Sequence, residues 1–182
     1  MVTAPTGKFN LPAGAITTQV LMEEDEQPIL MASDAGYGFI CHFSDLNTRN
    51  KAGKGLITLP ANAQVLHANC IKPEQKLLVA ISSGGRMLIF PVQDLPVLSK
   101  GKGNKIINIK AADAKERTDI LDKLFLISEN ATLVFYAGKR KVALKPKDWQ
   151  KFCAERGRKG TLLPRGLHSD AIIEVIEPEI DA

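Results

Sequence analysis

A shift of 48 residues lays the chain on itself without gaps. Leu11-Pro12-Ala13 falls on Leu59-Pro60-Ala61, Glu26-Gln27 on Glu74-Gln75, Ala32 on Ala80, Gly36 on Gly84, and Gly53-Lys54-Gly55 on Gly101-Lys102-Gly103. Self-similarity at a period of this length marks stacked arrays, in which each unit buries its apolar face on a neighbour. A third, more divergent copy begins near LFLISENATLVFYAG and reaches its own basic glycine loop at RGRKG, residues 156–160, after an insertion around Trp149.

Each copy reads as two short apolar runs around a turn. LLVAIS (77–82) and MLIFPV (87–92) flank SGGR; ILMAS and GFICHF flank DAGY; LFLIS and LVFYAG flank ENAT. Apolar β-rich runs around such turns predict hairpins. A unit of roughly 40–50 residues with about four short strands has the dimensions of a propeller blade. The expected fold is therefore all-β, with propeller-like blades of four short antiparallel strands. About three and a half blades fit in one domain over 1–182: the end of a truncated blade at 1–27, then blades at 28–75 and 76–123, and a last blade at 124–180. Helix is expected only over KDWQKFCAER (147–156), where Trp149, Phe152 and Cys153 share one face. Stacked blades need neighbours, so an opening half-blade predicts self-association at that end or a rearranged N-terminal strand.

Several classes of chemistry lack their residues. No lysine satisfies G-x-x-x-x-G-K-[ST], and the glycines of KGKGNK precede a strand-like run, which argues against a nucleotide-phosphate cradle. His42, His67 and His168 are scattered, and no serine or cysteine has a recognisable catalytic partner. Cys41, Cys70 and Cys153 are odd in number and far apart, so they read as reduced and buried thiols. Asp45, Asp94 and Asp148 recur near the end of the second run of each unit and are assigned to turn formation. Tyr37 and Tyr136 are assigned structural places. No apolar stretch reaches transmembrane length and no signal peptide is evident, which predicts a cytoplasmic protein.

Charge is segregated. The net charge is +4, but residues 1–30 carry −3, residues 99–110 carry +4, residues 131–167 carry +8 and residues 168–182 carry −5. Such a field attracts polyanions to one face. The basic loops RNKAGKG (49–55), SKGKGNK (99–105) and RGRKG (156–160) occupy equivalent places in successive units and are expected along one rim. Glycine there would let backbone approach a phosphate, while lysine and arginine neutralise it. The candidate duplex-DNA contacts are Arg49, Lys51, Lys54, Arg86, Lys100, Lys102, Lys105, Lys139, Lys141, Arg156, Arg158 and Lys159. A protein-interaction module with a basic face for an acidic partner is the other reading of the same charges.

The stretches LMASDAGYGFICHFSDL, GRMLIFPVQDLPVLSKGKGNKIINI, GKRKVALKP and ERGRKGTLLPRGL resemble the C-terminal domain of the bacterial DNA topoisomerase IV A subunit (ParC). SKGKGNK and ERGRKG look like degenerate forms of the basic box Q-R-R-G-G-K-G carried by the related gyrase A subunit. The resemblance implies a β-pinwheel, in which neighbouring blades exchange strands, and a non-catalytic role in binding and bending duplex DNA. It implies that magnesium and ATP belong to the holoenzyme rather than to this chain, and that cleavage resides elsewhere in the full-length protein. It supports decatenation and relaxation over gyrase-like wrapping. Implied partners are duplex DNA, the topoisomerase IV B subunit and the bacterial condensin MukB, the last through Arg140 and Arg165; the implied place is the nucleoid.

Overall fold

The computed structural model describes residues 15–178. Leu11-Pro12-Ala13, the N-terminal anchor of the 48-residue shift, lies outside them, and residues 15–27 contain no strand. The rest of the chain builds three antiparallel sheets from eleven strands.

The first sheet pairs β1 (Pro28–Ser33) with β2 (Tyr37–His42) in a hairpin, and adds β3 (Asn69–Cys70) and β6 (Asn104–Lys105) in the order β3-β1-β2-β6. The second pairs β4 (Leu77–Ser82) with β5 (Arg86–Pro91), adds β7 (Leu121–Ile127) and β10 (Thr161–Leu162), and runs β10-β5-β4-β7. The third holds the hairpin of β8 (Thr132–Ala137) and β9 (Arg140–Leu144), with β11 (Ile172–Ile176) on β8. The sequence units are not coextensive with the sheets. β6 follows the second hairpin yet pairs Tyr37 with Lys105 in the first sheet, and β10 follows the third hairpin yet pairs Arg86 with Leu162 in the second. That exchange of strands between neighbours is what makes the arrangement a β-pinwheel rather than a simple propeller.

Three local expectations change. LFLIS and LVFYAG do not form a hairpin: β7 pairs along β4, from Leu77↔Ile127 to Ser82↔Leu121, and ENAT is the crossing between two sheets. The third hairpin is instead closed at Gly138-Lys139, where Gly138 has φ near +59°. The first two hairpins are offset by 49 residues rather than 48, since Gly36 (φ +84°) and Gly85 (φ +76°) take the same turn position. Helix is also shorter and more dispersed than expected. The segment from 147 is helical only as α3 (Pro146–Trp149) and a 3-10 turn to Phe152, and additional short helices are α1 (Phe43–Leu46) and α2 (Ala111–Glu116). Trp149 and Phe152 are buried, but Cys153 is exposed, and Cys70 is only half-buried; Cys41 alone of the thiols is fully buried.

Apolar runs persist through consecutive residues because sheets are covered on both faces. On the second sheet, Leu78 and Ala80 face the first, where they meet Leu30, Ala32 and Ile106; Val79 and Ile81 face the third, where they meet Phe135, Trp149 and Phe152. The far face of the first sheet, Ile29, Met31, Phe39 and Cys41, is covered by Leu21, Phe43, Leu46 and Ile57. Burial of Cys41 pushes its thiol pKa up to about 11, helped by the Asp45 carboxylate.

The recurrent aspartates act at strand exits. Asp45 accepts from the His42 backbone N–H and Asp148 from that of Lys145, each at 3.0 Å, capping the short helices that follow. Asp94 stands three residues after Pro91, which has no N–H to donate, and the segment there is a 3-10 turn.

Candidate nucleic-acid interface

Strand exchange determines where the basic loops go. β3, β7 and β11 stand at corresponding ends of their sheets, and residues of all three line one cleft of about 540 Å³. β6 and β10 stand at the opposite, outer ends, so the loops leading into them lie on the outer rim. The three loops join there. Thr58 donates to the Gly101 carbonyl at 2.9 Å and Gly101 to that of Leu56 at 2.8 Å, linking the first loop to the second. Gly157 donates to the Ile106 carbonyl at 2.8 Å and Asn108 to that of Arg158 at 2.9 Å, linking the second to the third. Backbone hydrogen bonds therefore join the segments that carry the three basic loops.

Its glycines have an architectural reason. Gly103 (φ +77°) and Gly160 (φ +78°) immediately precede β6 and the Thr161 start of β10. A Cβ on Gly103 would collide with the Gly38 carbonyl, and one on Gly160 would lie 2.8 Å from the Met87 carbonyl oxygen. These residues let an exchanged strand press against the neighbouring sheet. Gly53 (φ +85°) has open space around its missing Cβ, so only its backbone conformation calls for glycine.

The candidate cations fall into two groups. Arg49, Lys51, Lys100, Lys139 and Lys159 are exposed and make no hydrogen bond or ion pair among the described residues. Lys54 donates to the Asp45 carbonyl at 2.6 Å, Lys105 to Asn108 Oδ1 at 2.8 Å, and Lys102 and Lys141 lie over the rings of Tyr37 and Tyr136 at 3.9 and 5.3 Å. None of these contacts pairs the ammonium with a carboxylate, so each keeps its charge.

Apart from Arg49, the candidate arginines are engaged by the protein. Arg86, half-buried, donates to the Gly160 carbonyl at 3.1 Å and so fastens β5 to the β10 junction. Arg156, also half-buried, donates to the carbonyls of Asp94 at 3.0 Å and Lys105 at 2.7 Å, tying the turn after β5 to the exchanged strand β6. Arg158 forms an exposed pair with Glu155 at 2.7 Å, which offsets part of its charge. Arg140 and Arg165 do come together, because Arg140 Nη1 donates to the Arg165 carbonyl at 2.6 Å. The Arg165 side chain itself is exposed.

Lys115, on α2, is a further exposed cation beside Lys102 and Tyr37 outside the repeating loops; Asp113 and Glu116 flank it in sequence and hide any charge run. Among the described residues no group of three His, Cys, Asp or Glu side chains could hold a metal, and no helix is long and apolar enough to cross a membrane.

Comparison with known proteins agrees with this architecture. The family described as DNA gyrase C-terminal domain, beta-propeller, matches residues 27–72 and 76–114. The A subunit of DNA topoisomerase 4 from Haemophilus influenzae is 64% identical over 173 residues, 95% of this chain and 23% of that protein. Its counterpart from Escherichia coli K12 is 53% identical over 173 residues, again 95% of this chain and 23% of that protein. The solved E. coli ParC C-terminal domain superposes with a TM-score of 0.88 at 53% identity, covering 95% of this chain and 70% of that one. The chain thus spans about a quarter of the length of its curated relatives. With strand exchange between its sheets and this degree of identity, the chain belongs to the family of C-terminal β-pinwheel domains of the DNA topoisomerase IV A subunit.

Proposed function

We propose that the chain is a non-catalytic module that binds and bends duplex DNA along its outer rim. Within topoisomerase IV it positions DNA segments for decatenation and relaxation by the ATP-dependent type II holoenzyme. The observation that carries this reading is that backbone hydrogen bonds join the segments carrying the three basic loops, while exposed lysines on them lack carboxylate partners among the described residues and Arg86 and Arg156 hold the exchanged strands beneath. Phosphate contacts of this kind position a duplex without reading its bases. Bending 20–30 base pairs costs of order 1–6 kcal/mol, which several such contacts offset. The holoenzyme reading brings in the B subunit as partner, places magnesium and ATP outside this chain, and locates the protein at the nucleoid.

Duplex affinity measured against salt tests the reading. With about six phosphates contacted, the log-log slope is expected near −5, and changing Lys100, Lys102 and Lys105 together to Ala should flatten it by about 2–3. A pre-bent duplex should bind more tightly than a linear one. An unchanged slope in the triple variant would overturn the assigned surface. A second reading is favoured by the Arg140–Arg165 contact, which sets two arginines beside each other away from the first two loops. They form a protein-docking corner, for which the condensin MukB is the partner to test; charge reversal at both should abolish capture while leaving the DNA salt slope unchanged.

A further inference from the structure

The three second hairpin strands begin with Tyr37, Arg86 and Arg140. In the second and third sheets that first residue donates a guanidinium hydrogen bond to a backbone carbonyl, Arg86 to Gly160 of the rim and Arg140 to Arg165. In the first sheet it is an aromatic ring, half-buried, and the rim chain above it carries lysines. Lys102 lies between Gly101 and Gly103, both at positive φ, the segment of the loop with the least side-chain restraint on its backbone. Its ammonium nevertheless sits 3.9 Å from the centre of the Tyr37 ring. Lys105 is the cross-strand partner of Tyr37; its ammonium lies 5.9 Å from the same ring and donates to Asn108 Oδ1 at 2.8 Å. A ring face attracts a cation without cancelling its charge, unlike a carboxylate. Neither ammonium has a carboxylate partner among the described residues.

A third lysine completes the arrangement. Tyr37, Lys102 and Lys115 border one notch of about 180 Å³ whose floor includes Ala35, Ile109 and Ala114. Lys115 is on the last turn of α2, and that turn is held in place: its carbonyl accepts from Asn62 Nδ2 at 3.0 Å, and Arg117 pairs with the buried Asp34 at 2.8 Å in the turn just before Tyr37. These bonds tie the end of the helix to the hairpin.

We infer that Tyr37 is a positioning residue of a phosphate clamp, holding Lys102 and Lys105 over the rim while Lys115 faces Lys102 across the notch, so that three ammonium groups grip one stretch of duplex backbone. The clamp rests on the duplex-binding reading and deepens it. Pre-ordering two long side chains removes an entropy loss that binding would otherwise incur.

The test is a double-mutant cycle with a linear duplex as probe, read by fluorescence anisotropy across a salt series. Tyr37→Phe should bind like wild type, because the ring face is kept. Tyr37→Leu should bind about two- to fivefold more weakly at low salt, and this loss should shrink when Lys102 is already Ala and vanish when Lys102 and Lys105 are both Ala. Lys115→Ala should flatten the salt slope by about 0.9. Thermal unfolding of each variant keeps a loss of fold apart from a loss of clamp, and Lys102→Met supplies a second variant that leaves the β2–β6 pairing intact. If wild type binds duplex but Tyr37→Leu binds equally well, or loses the same factor with and without Lys102, the clamp is wrong while the duplex-binding reading stands. If wild type fails to bind duplex at low salt, the broader reading falls first.

Discussion

Gly103 and Lys102 are neighbours, the first required by the fold and the second assigned to the ligand in the proposed clamp. Gly103→Ala combines a positive φ with a collision against the Gly38 carbonyl. It should lower stability in urea unfolding by at least about 2 kcal/mol, against about 1 kcal/mol for Gly53→Ala, where the space is open. The Asp34–Arg117 pair is a second residue-scale test. Asp34 is 4% exposed and Arg117 36%, and the Asp34 carboxylate also accepts from the Gln64 N–H at 2.8 Å. Arg117→Ala leaves a buried carboxylate with less compensation and should cost about 2 kcal/mol, the partner's exposure having been discounted. Cys41 gives a pH test. Its thiol is raised from 9.0 to about 11 in the folded chain, so above pH 9 the unfolded chain releases a proton that the folded chain retains. Stability contributed by the neutral thiol is present below pH 9 and is lost as pH rises toward 11. The urea midpoint of wild type should therefore fall more between about pH 8 and pH 10.5 than that of Cys41→Ala.

At the scale of elements, the exchanged strands are only two residues long, too short to hold by ladder hydrogen bonds alone. Arginine side chains supplement them. Arg156 reaches the carbonyls of Asp94 and Lys105, and Arg86 that of Gly160. Hydrogen bonds from a charged donor are among the stronger ones, so Arg156→Ala should cost about 2 kcal/mol of stability. Lys159→Ala, at an exposed position without a partner among the described residues, should leave the unfolding midpoint unchanged yet flatten the DNA salt slope by about 0.9. The contrast separates cations that build the rim from cations that use it. α3 shows the same reliance on local signals: Pro146 opens it, Asp148 caps it, and Trp149 donates its indole N–H to the Ala131 carbonyl at 2.9 Å, which anchors the helix on the third sheet.

On the scale of the whole molecule, the second sheet is buried on both faces and the three basic loops are joined by backbone hydrogen bonds across unit boundaries. A substitution in one loop therefore bears on the next. The rim presents its lysines on a supported, continuous backbone, which is the condition for contacting a duplex along several phosphates at once.

The apolar runs, the glycine turns and the recurrence of the basic loops were all legible in the chain, because apolar patterning and turn chemistry are local properties. Hairpins β1–β2 and β4–β5 followed from them directly. The partners of the remaining strands were not legible. Leu121–Ile127 looks like the start of a third hairpin but pairs along Leu77–Ser82 of the preceding unit, and Asn104–Lys105 is too short to show any period. The division of the cations was equally hidden, since an arginine that bridges two carbonyls and a lysine that faces solvent have the same charge in the sequence. Local chemistry decided what each segment could become; which sheet received it, and which charges remained free for a ligand, was decided by long-range packing, because those choices depend on surfaces that exist only once the sheets have stacked.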